Sequence, residues 1–149
     1  MPVVEEFVDV AASPEAVSDV LLDVEAAPLW TAGLERMELV DGVPGLVGCR
    51  GIAHYVEGGR RYQVEDLLIE AVPGDRFKSR IHGGGLRATV ETRLEPVAGG
   101  TRVTVRWSGR GNNPITWVML PLLRRKIAER CRADLEALGN LVESRARRD

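Results

Sequence analysis

The pattern of apolar and polar positions divides the chain into three stretches. Val3 to Ala11 mixes valines with Glu5, Glu6 and Asp9, which predicts a strand with one solvated face. Ser13 then offers a helix N-cap, Pro14 a first helical residue and Glu15 an acid in the first turn. Val17, Val20, Leu21 and Val24 follow at helical spacing. Pro28 limits this helix and starts a second short one around Leu29 to Gly33, carrying Trp30. From Leu34 onward, short runs are separated by Asp41-Gly42, Gly58-Gly59, Pro73-Gly74, Gly83-Gly84-Gly85 and Gly99-Gly100. Glycine reaches the positive φ that tight hairpins need, so this punctuation predicts an antiparallel meander. After Trp107, a loop over Ser108 to Asn112 leads to Asn113 as N-cap and Pro114 as first helical residue. The last helix runs to about Arg145. Its stripe of Trp117, Leu120, Leu123, Ile127, Cys131, Leu135, Leu138 and Val142 recurs at three- and four-residue steps. Pro121 removes the bond to the Trp117 carbonyl, so a kink or a late start is expected there.

The turns also fix which side chains share a face. With Gly58-Gly59 as a two-residue turn, Glu57 faces Arg60, Tyr55 faces Tyr62, Ala53 faces Val64, Gly51 faces Asp66 and Cys49 faces Leu68. Opposite residues lie on one side of a sheet. A turn at Pro73-Gly74 sets Leu68 against Ser79, Asp66 against Ile81 and Glu70 against Phe77. One at Gly83-Gly84 sets Ile81 against Leu86, Ser79 against Ala88 and Phe77 against Val90. One at Ala98-Gly99 sets Leu94 against Val103, Thr92 against Val105 and Val90 against Trp107. One face therefore collects the apolar row, and the other collects Arg76, Lys78, Arg80, His82, Arg87, Glu91, Arg93, Glu95, Arg102 and Arg106. The apolar face needs a cover, and the last helix has the matching stripe. Tyr55, Tyr62, Asp66, Glu70, Ser79 and Thr92 interrupt the interior row. A dry core tolerates such groups poorly, whereas a solvated cavity accepts them.

Composition narrows the function classes. The 149 residues suit one domain, 1–149; 44% are hydrophobic and 28% charged, as in an ordinary globular protein. A net charge of −2 gives no broad electrostatic case for nucleic acid or an anionic membrane. Cys49 and Cys131 form no CxxC pair, so a disulfide framework or metal site is not expected, and both are expected reduced and buried. The acidic N-terminus lacks a signal peptide's basic end, and no apolar stretch is long enough to span a bilayer, so a cytoplasmic protein is expected.

Several motifs, taken in order, resemble those of a known superfamily: Ala12 to Val17 as ASPEAV, Asp23 to Trp30 as DVEAAPLW, Val47-Gly48, Ile69 to Phe77 as IEAVPGDRF, and the tail from Leu120 to Glu143. Together they resemble the SRPBCC (START-like, helix-grip) proteins, including the polyketide cyclase/dehydratase-like family, over essentially the whole chain. The resemblance implies an α+β helix-grip fold. In it a seven-stranded curved antiparallel sheet wraps a long C-terminal helix, with two short helices after the first strand. It also implies a hydrophobic tunnel between sheet and helix. Members bind lipids, sterols, polyketides or plant hormones, and some cyclise or dehydrate polyketides. No single catalytic motif unites them, so none is carried over.

The residues that would do chemistry follow from the interior row. Asp66 on the apolar face is expected to have a raised pKa, suiting general acid–base work or hydrogen bonding to a ligand. Otherwise it marks a local register slip or pairs with an arginine near the sheet edge. Tyr62 and its neighbour Tyr55 offer hydroxyls to a ligand, or simply pair as rings. Asp66 and Tyr62 are thus the candidate catalytic pair. The ligand-binding set adds Trp30, Val64, Leu68, Phe77, Ser79 and Ile81 from the first half of the meander, and Ala88, Val90, Thr92, Trp107, Trp117 and Leu120 beyond it. His54 and His82 fall on the solvated face, His82 opposite Glu65. No metal ligand set and no cofactor motif are present. Arg124, Arg125, Lys126, Arg130 and Arg132 make the outer side of the last helix basic, as a solvated face or as a docking face.

Three function classes stay open: a carrier or sequestering protein for a small hydrophobic ligand, a cyclase/dehydratase-type enzyme, and an interaction protein with a vestigial pocket. A homodimer is also left open.

Overall fold

The computed structural model describes residues 3–111 and 114–148, and of Thr116 and Trp117 the backbone alone. The elements in chain order are β1 (Val3–Val10), α1 (Pro14–Leu21), α2 (Ala27–Trp30), β2 (Leu34–Asp41), β3 (Arg50–Glu57), β4 (Arg60–Val72), β5 (Arg76–Gly83), β6 (Leu86–Val97), β7 (Gly100–Gly111) and α3 (Pro114–Arg148). The Ser13 hydroxyl accepts from the Ala16 N–H at 3.1 Å, which starts α1. The Ser18 hydroxyl accepts from the Gly74 N–H at 3.0 Å and ties α1 to the β4–β5 turn. The helix expected from Leu29 to Gly33 is a single turn placed two residues earlier, with Pro28 in its first turn. Helix α3 begins at Pro114 and continues through Pro121, so no late start is seen. The Asn113 cap lies outside the described residues.

All seven strands are antiparallel, in the order β1-β7-β6-β5-β4-β3-β2, and the curved sheet grips α3. Two of the four turn assignments hold as read: Tyr55 faces Tyr62 and Gly51 faces Asp66 across one hairpin, and Val90 faces Trp107 across another. The other two shift. Between β4 and β5 the loop has three residues, Pro73 to Asp75, and Ala71 rather than Glu70 faces Phe77. A bulge at Ile69 absorbs the extra residue, so Leu68 still meets Ser79 and Asp66 still meets Ile81. Glu70 consequently turns out to solvent, 3.6 Å from Arg76, and leaves the interior row.

Between β5 and β6 the turn is Gly84-Gly85, with φ of 61° and 81°, while Gly83 stays in the strand opposite Leu86. A Cβ on Gly83 would collide with the Gln63 carbonyl oxygen of β4, so this glycine permits close approach of two strands. The register moves by two residues: Ile81 faces Ala88, Ser79 faces Val90 and Phe77 faces Thr92. A shift of two keeps every side chain on its face, which is why the parity survives.

Helix α3 meets the sheet through two dry clusters. Toward its C-terminal half, Leu135, Leu138 and Val142 pack with Val10, Val17, Val103 and Phe77. Near its N-terminal end, Leu120 packs with Val4, Ala88 and Trp107. Between the clusters the helix presents Ile127, Arg130, Cys131 and Asp134, and the facing wall includes the small residues Gly51, Ser79 and Ala88. Helix and sheet are held apart there, and a cavity results.

Candidate functional site

The cavity measures about 780 Å³. Strands β3 and β4 contribute Tyr55, Tyr62, Val64, Asp66 and Leu68, and β5 contributes Phe77, Ser79 and Ile81. Ala88, Val90, Thr92 and Trp107 come from β6 and β7, and Trp30 from α2. Of the remaining two positions, Leu120 differs from expectation. Leu120 does not line the cavity; it is fully buried in the dry cluster because its turn of α3 sits directly on the sheet. The side chain of Trp117 lies outside the described residues. Trp30 lines the cavity, and its buried indole N–H has no hydrogen-bond partner among the described residues.

Asp66 stands in the middle of β4. Gly51 opposite it carries no side chain, and Met37 packs there instead, its Sδ 3.2 Å from where a Cβ would stand; the Asp66 carboxyl lines the cavity. Burial holds the carboxyl above the usual value of 3.8, and the Ser79 hydroxyl, donating to it, pulls the other way. Neither a register slip nor an arginine partner accounts for it: the register is as expected, and among the described residues no arginine, lysine or histidine pairs with it.

Toward the β3–β4 turn, Tyr55 and Tyr62 stack with centroids 5.1 Å apart and planes 8° from parallel. Burial pushes the Tyr55 phenol up to about 12, and burial raises Tyr62 as well. What holds them is not evident from the sequence. Arg130, assigned there to the solvated side of the helix, points inward: its guanidinium lies 5.2 Å from the Tyr55 centroid and hydrogen-bonds Tyr62. It also donates to the Ala32 carbonyl at 2.6 Å and ion-pairs with Glu57. One turn on, Asp134 accepts from the Ala32 N–H at 3.0 Å. The signal was present, since Arg130 and Asp134 sit three and seven residues after Ile127 on the inward face.

Of the other basic residues, Arg124 donates to the Val3 carbonyl at 3.2 Å, Arg125 pairs with Glu129 at 3.3 Å and Arg132 with Glu6 at 3.1 Å. On the outer face His54 lies 2.9 Å from Glu38. The cysteines are unpaired and half-buried rather than buried; burial lifts Cys131 to about 11. Among the described residues, no group of His, Cys, Asp or Glu could hold a metal ion and no helix is long and apolar enough to cross a membrane.

The fold recurs in solved structures. A protein of Thermus thermophilus superposes with a TM-score of 0.76 at 20% identity, covering 96% of this chain and 98% of that one. A START superfamily protein from Mycobacterium smegmatis gives 0.76 at 18% identity, covering 95% and 97%. The ZhuI aromatase/cyclase from a Streptomyces species gives 0.74 at 19%, covering 97% and 95%. At these identities the likeness is one of fold. Comparison with curated proteins finds no match. Residues 1–143 match the family described as polyketide cyclase / dehydrase and lipid transport. With its helix-grip architecture and a pocket of the type that holds hydrophobic ligands, the chain belongs to this family, within the SRPBCC superfamily.

Proposed function

We propose that this protein carries or sequesters a small, mainly apolar ligand held between the sheet and α3. The observation that supports it most is the cavity: about 780 Å³ lies within the ~300–1,000 Å³ of small-molecule sites, and most of its lining residues are apolar. Apolar walls such as Val64, Leu68, Phe77 and Val90 supply affinity, and Asp66, Ser79 and Tyr62 supply orientation. The test uses the neutral fluorophore N-phenyl-1-naphthylamine, together with native mass spectrometry of the purified protein. Wild type takes up the probe, and Val90→Trp, which projects an indole into the cavity while melting as a folded protein, takes up less. Equal uptake by both proteins would place the probe elsewhere and remove the reading.

One feature favours a second reading, an enzyme of the cyclase/dehydratase type. Asp66 is a desolvated carboxyl facing open space, suited to taking a proton next to a carbonyl, and Tyr62 could steady an enolate oxygen. The walls would hold a flexible chain folded for ring closure. An Asp66→Asn protein that turns over a polyketide substrate at the wild-type rate would eliminate it.

A further inference from the structure

We propose that the cavity selects an uncharged ligand bearing a hydroxyl, an alcohol or a phenol, whose O–H meets the Asp66 carboxyl, and that it discriminates against molecules ending in a carboxylate. This rests on the reading of the cavity as the ligand site and adds the ligand's chemistry to it.

The first ground is the lack of a counter-charge. Asp66 has one hydrogen-bond partner, Ser79, and no cationic one among the described residues. Among the described residues two cations line the cavity, and neither can serve. Arg130 is engaged by Glu57, Tyr62, Tyr55 and the Ala32 carbonyl. Tyr62, which it bonds, is four residues from Asp66 along β4, about 13 Å at ~3.3 Å per residue. Arg60 is exposed beside the β3–β4 turn, farther still. The remaining charged lining groups, Asp23, Glu57 and Asp134, are acidic. A carboxylate entering beside Asp66 would bring an unpaired charge into a desolvated site and set it against a like one.

The second ground is the hydrogen-bonding inventory. The Ser79 hydroxyl donates to the carboxyl, and the carboxyl lines the cavity. An ionised carboxylate accepts from a ligand hydroxyl, and a protonated one donates to it, so a hydroxyl fits either state. A ketone fits only the protonated state. An ammonium brings a charge and three donors to a station offering the carboxyl and one serine oxygen, with the cross-strand Ile81 and the apolar lining residues Val64 and Leu68 on the same face.

The test compares ligands that share one ring system: 2-naphthol, 2-naphthoate, 2-naphthylmethylamine and naphthalene, each displacing N-phenyl-1-naphthylamine at neutral pH. Wild type is expected to hold 2-naphthol about tenfold more tightly than naphthalene and at least about tenfold more tightly than 2-naphthoate. In Asp66→Asn the gap between naphthol and naphthoate shrinks to about threefold or less, since the repelling charge is gone. The wild-type comparison stands even where the variant folds poorly. Naphthoate or the amine binding as tightly as naphthol to wild type overturns the proposal while leaving the cavity a ligand site. Failure of wild type to bind the fluorophore at all overturns both.

Discussion

Replacing Asp66 by asparagine should make the protein more stable at neutral pH. The carboxyl is held above its ordinary 3.8 by burial, against a smaller opposing effect of the Ser79 hydroxyl. The unfolded chain therefore releases this proton near 3.8 and the folded chain only at higher pH. Between those points the folded state binds more protons, so stability falls as pH rises; the loss is complete above the folded value and absent below 3.8. Asparagine keeps the shape and an acceptor for Ser79 but cannot ionise. Its expected gain near pH 7 is about 1–2 kcal/mol, at the lower end of the cost of an incompletely paired buried polar group. For a domain of this size that is roughly 3–6 °C in Tm. Thermal melts of both proteins from about pH 3 to pH 8 measure it, and the two curves should converge at the acid end, where both side chains are neutral. A variant less stable than wild type near pH 7, or a gap independent of pH, would refute desolvation as the dominant influence. A gain would also show that the chain keeps an acid here at the expense of stability, as expected of a site rather than a scaffold.

Arg130→Met keeps the aliphatic stem and deletes the guanidinium. Because both partners of the Glu57 ion pair are partly exposed, most of the loss comes from the Ala32 carbonyl bond and the Tyr55 contact, about 2 kcal/mol by urea unfolding. A loss below about 0.5 kcal/mol would show that α3 is held without it. Gly83→Ala sets a Cβ 2.9 Å from the Val64 Cα and against the Gln63 carbonyl, forcing β4 from β5 at a cost of about 1–3 kcal/mol. Gly58→Ala, with φ 56° and no atom within 4 Å, should cost about 1 kcal/mol at most, and the reverse ranking in chemical denaturation would contradict the close-approach argument. The buried Tyr55 phenol ionises at about 12 in the folded state and near its ordinary 10 when unfolded, so its contribution is full below 10 and is lost as pH rises toward 12. Tyr55→Phe should show a shallower alkaline loss in melts over that range; an unchanged slope would contradict burial of the hydroxyl.

Much of the fold was legible because glycine turns and strand alternation are local signals. The apolar parity from Tyr55 through Trp107 survived two misread turns, since a bulge at Ile69 and a two-residue shift after Gly83 each restored the face. Glu70 was misplaced for the same reason: a bulge cannot be counted from a turn assignment alone. Asp66, Tyr55, Tyr62 and Ser79 were found from sequence because they share one face of adjacent strands. Arg130 was not, because a charge on an amphipathic helix reads as solvated until its neighbours across space are known.

By itself, then, the sequence determined the register at two of the four hairpins and which side chains share the inner face, the cap of α1, the apolar stripe of α3 and the acid among apolar side chains, all consequences of spacing along one chain. Only the tertiary structure decided where helix and sheet part company. The two dry clusters around Leu120 and Leu138 set the separation, and the short side chains of Ser79 and Ala88 do not fill it, so a void opens where neither element alone encodes one. It likewise decided that Arg130 is held by Glu57, Tyr62 and Ala32 rather than by water, because those partners come from the β3–β4 hairpin and the segment after α2, both far from Arg130 in the chain.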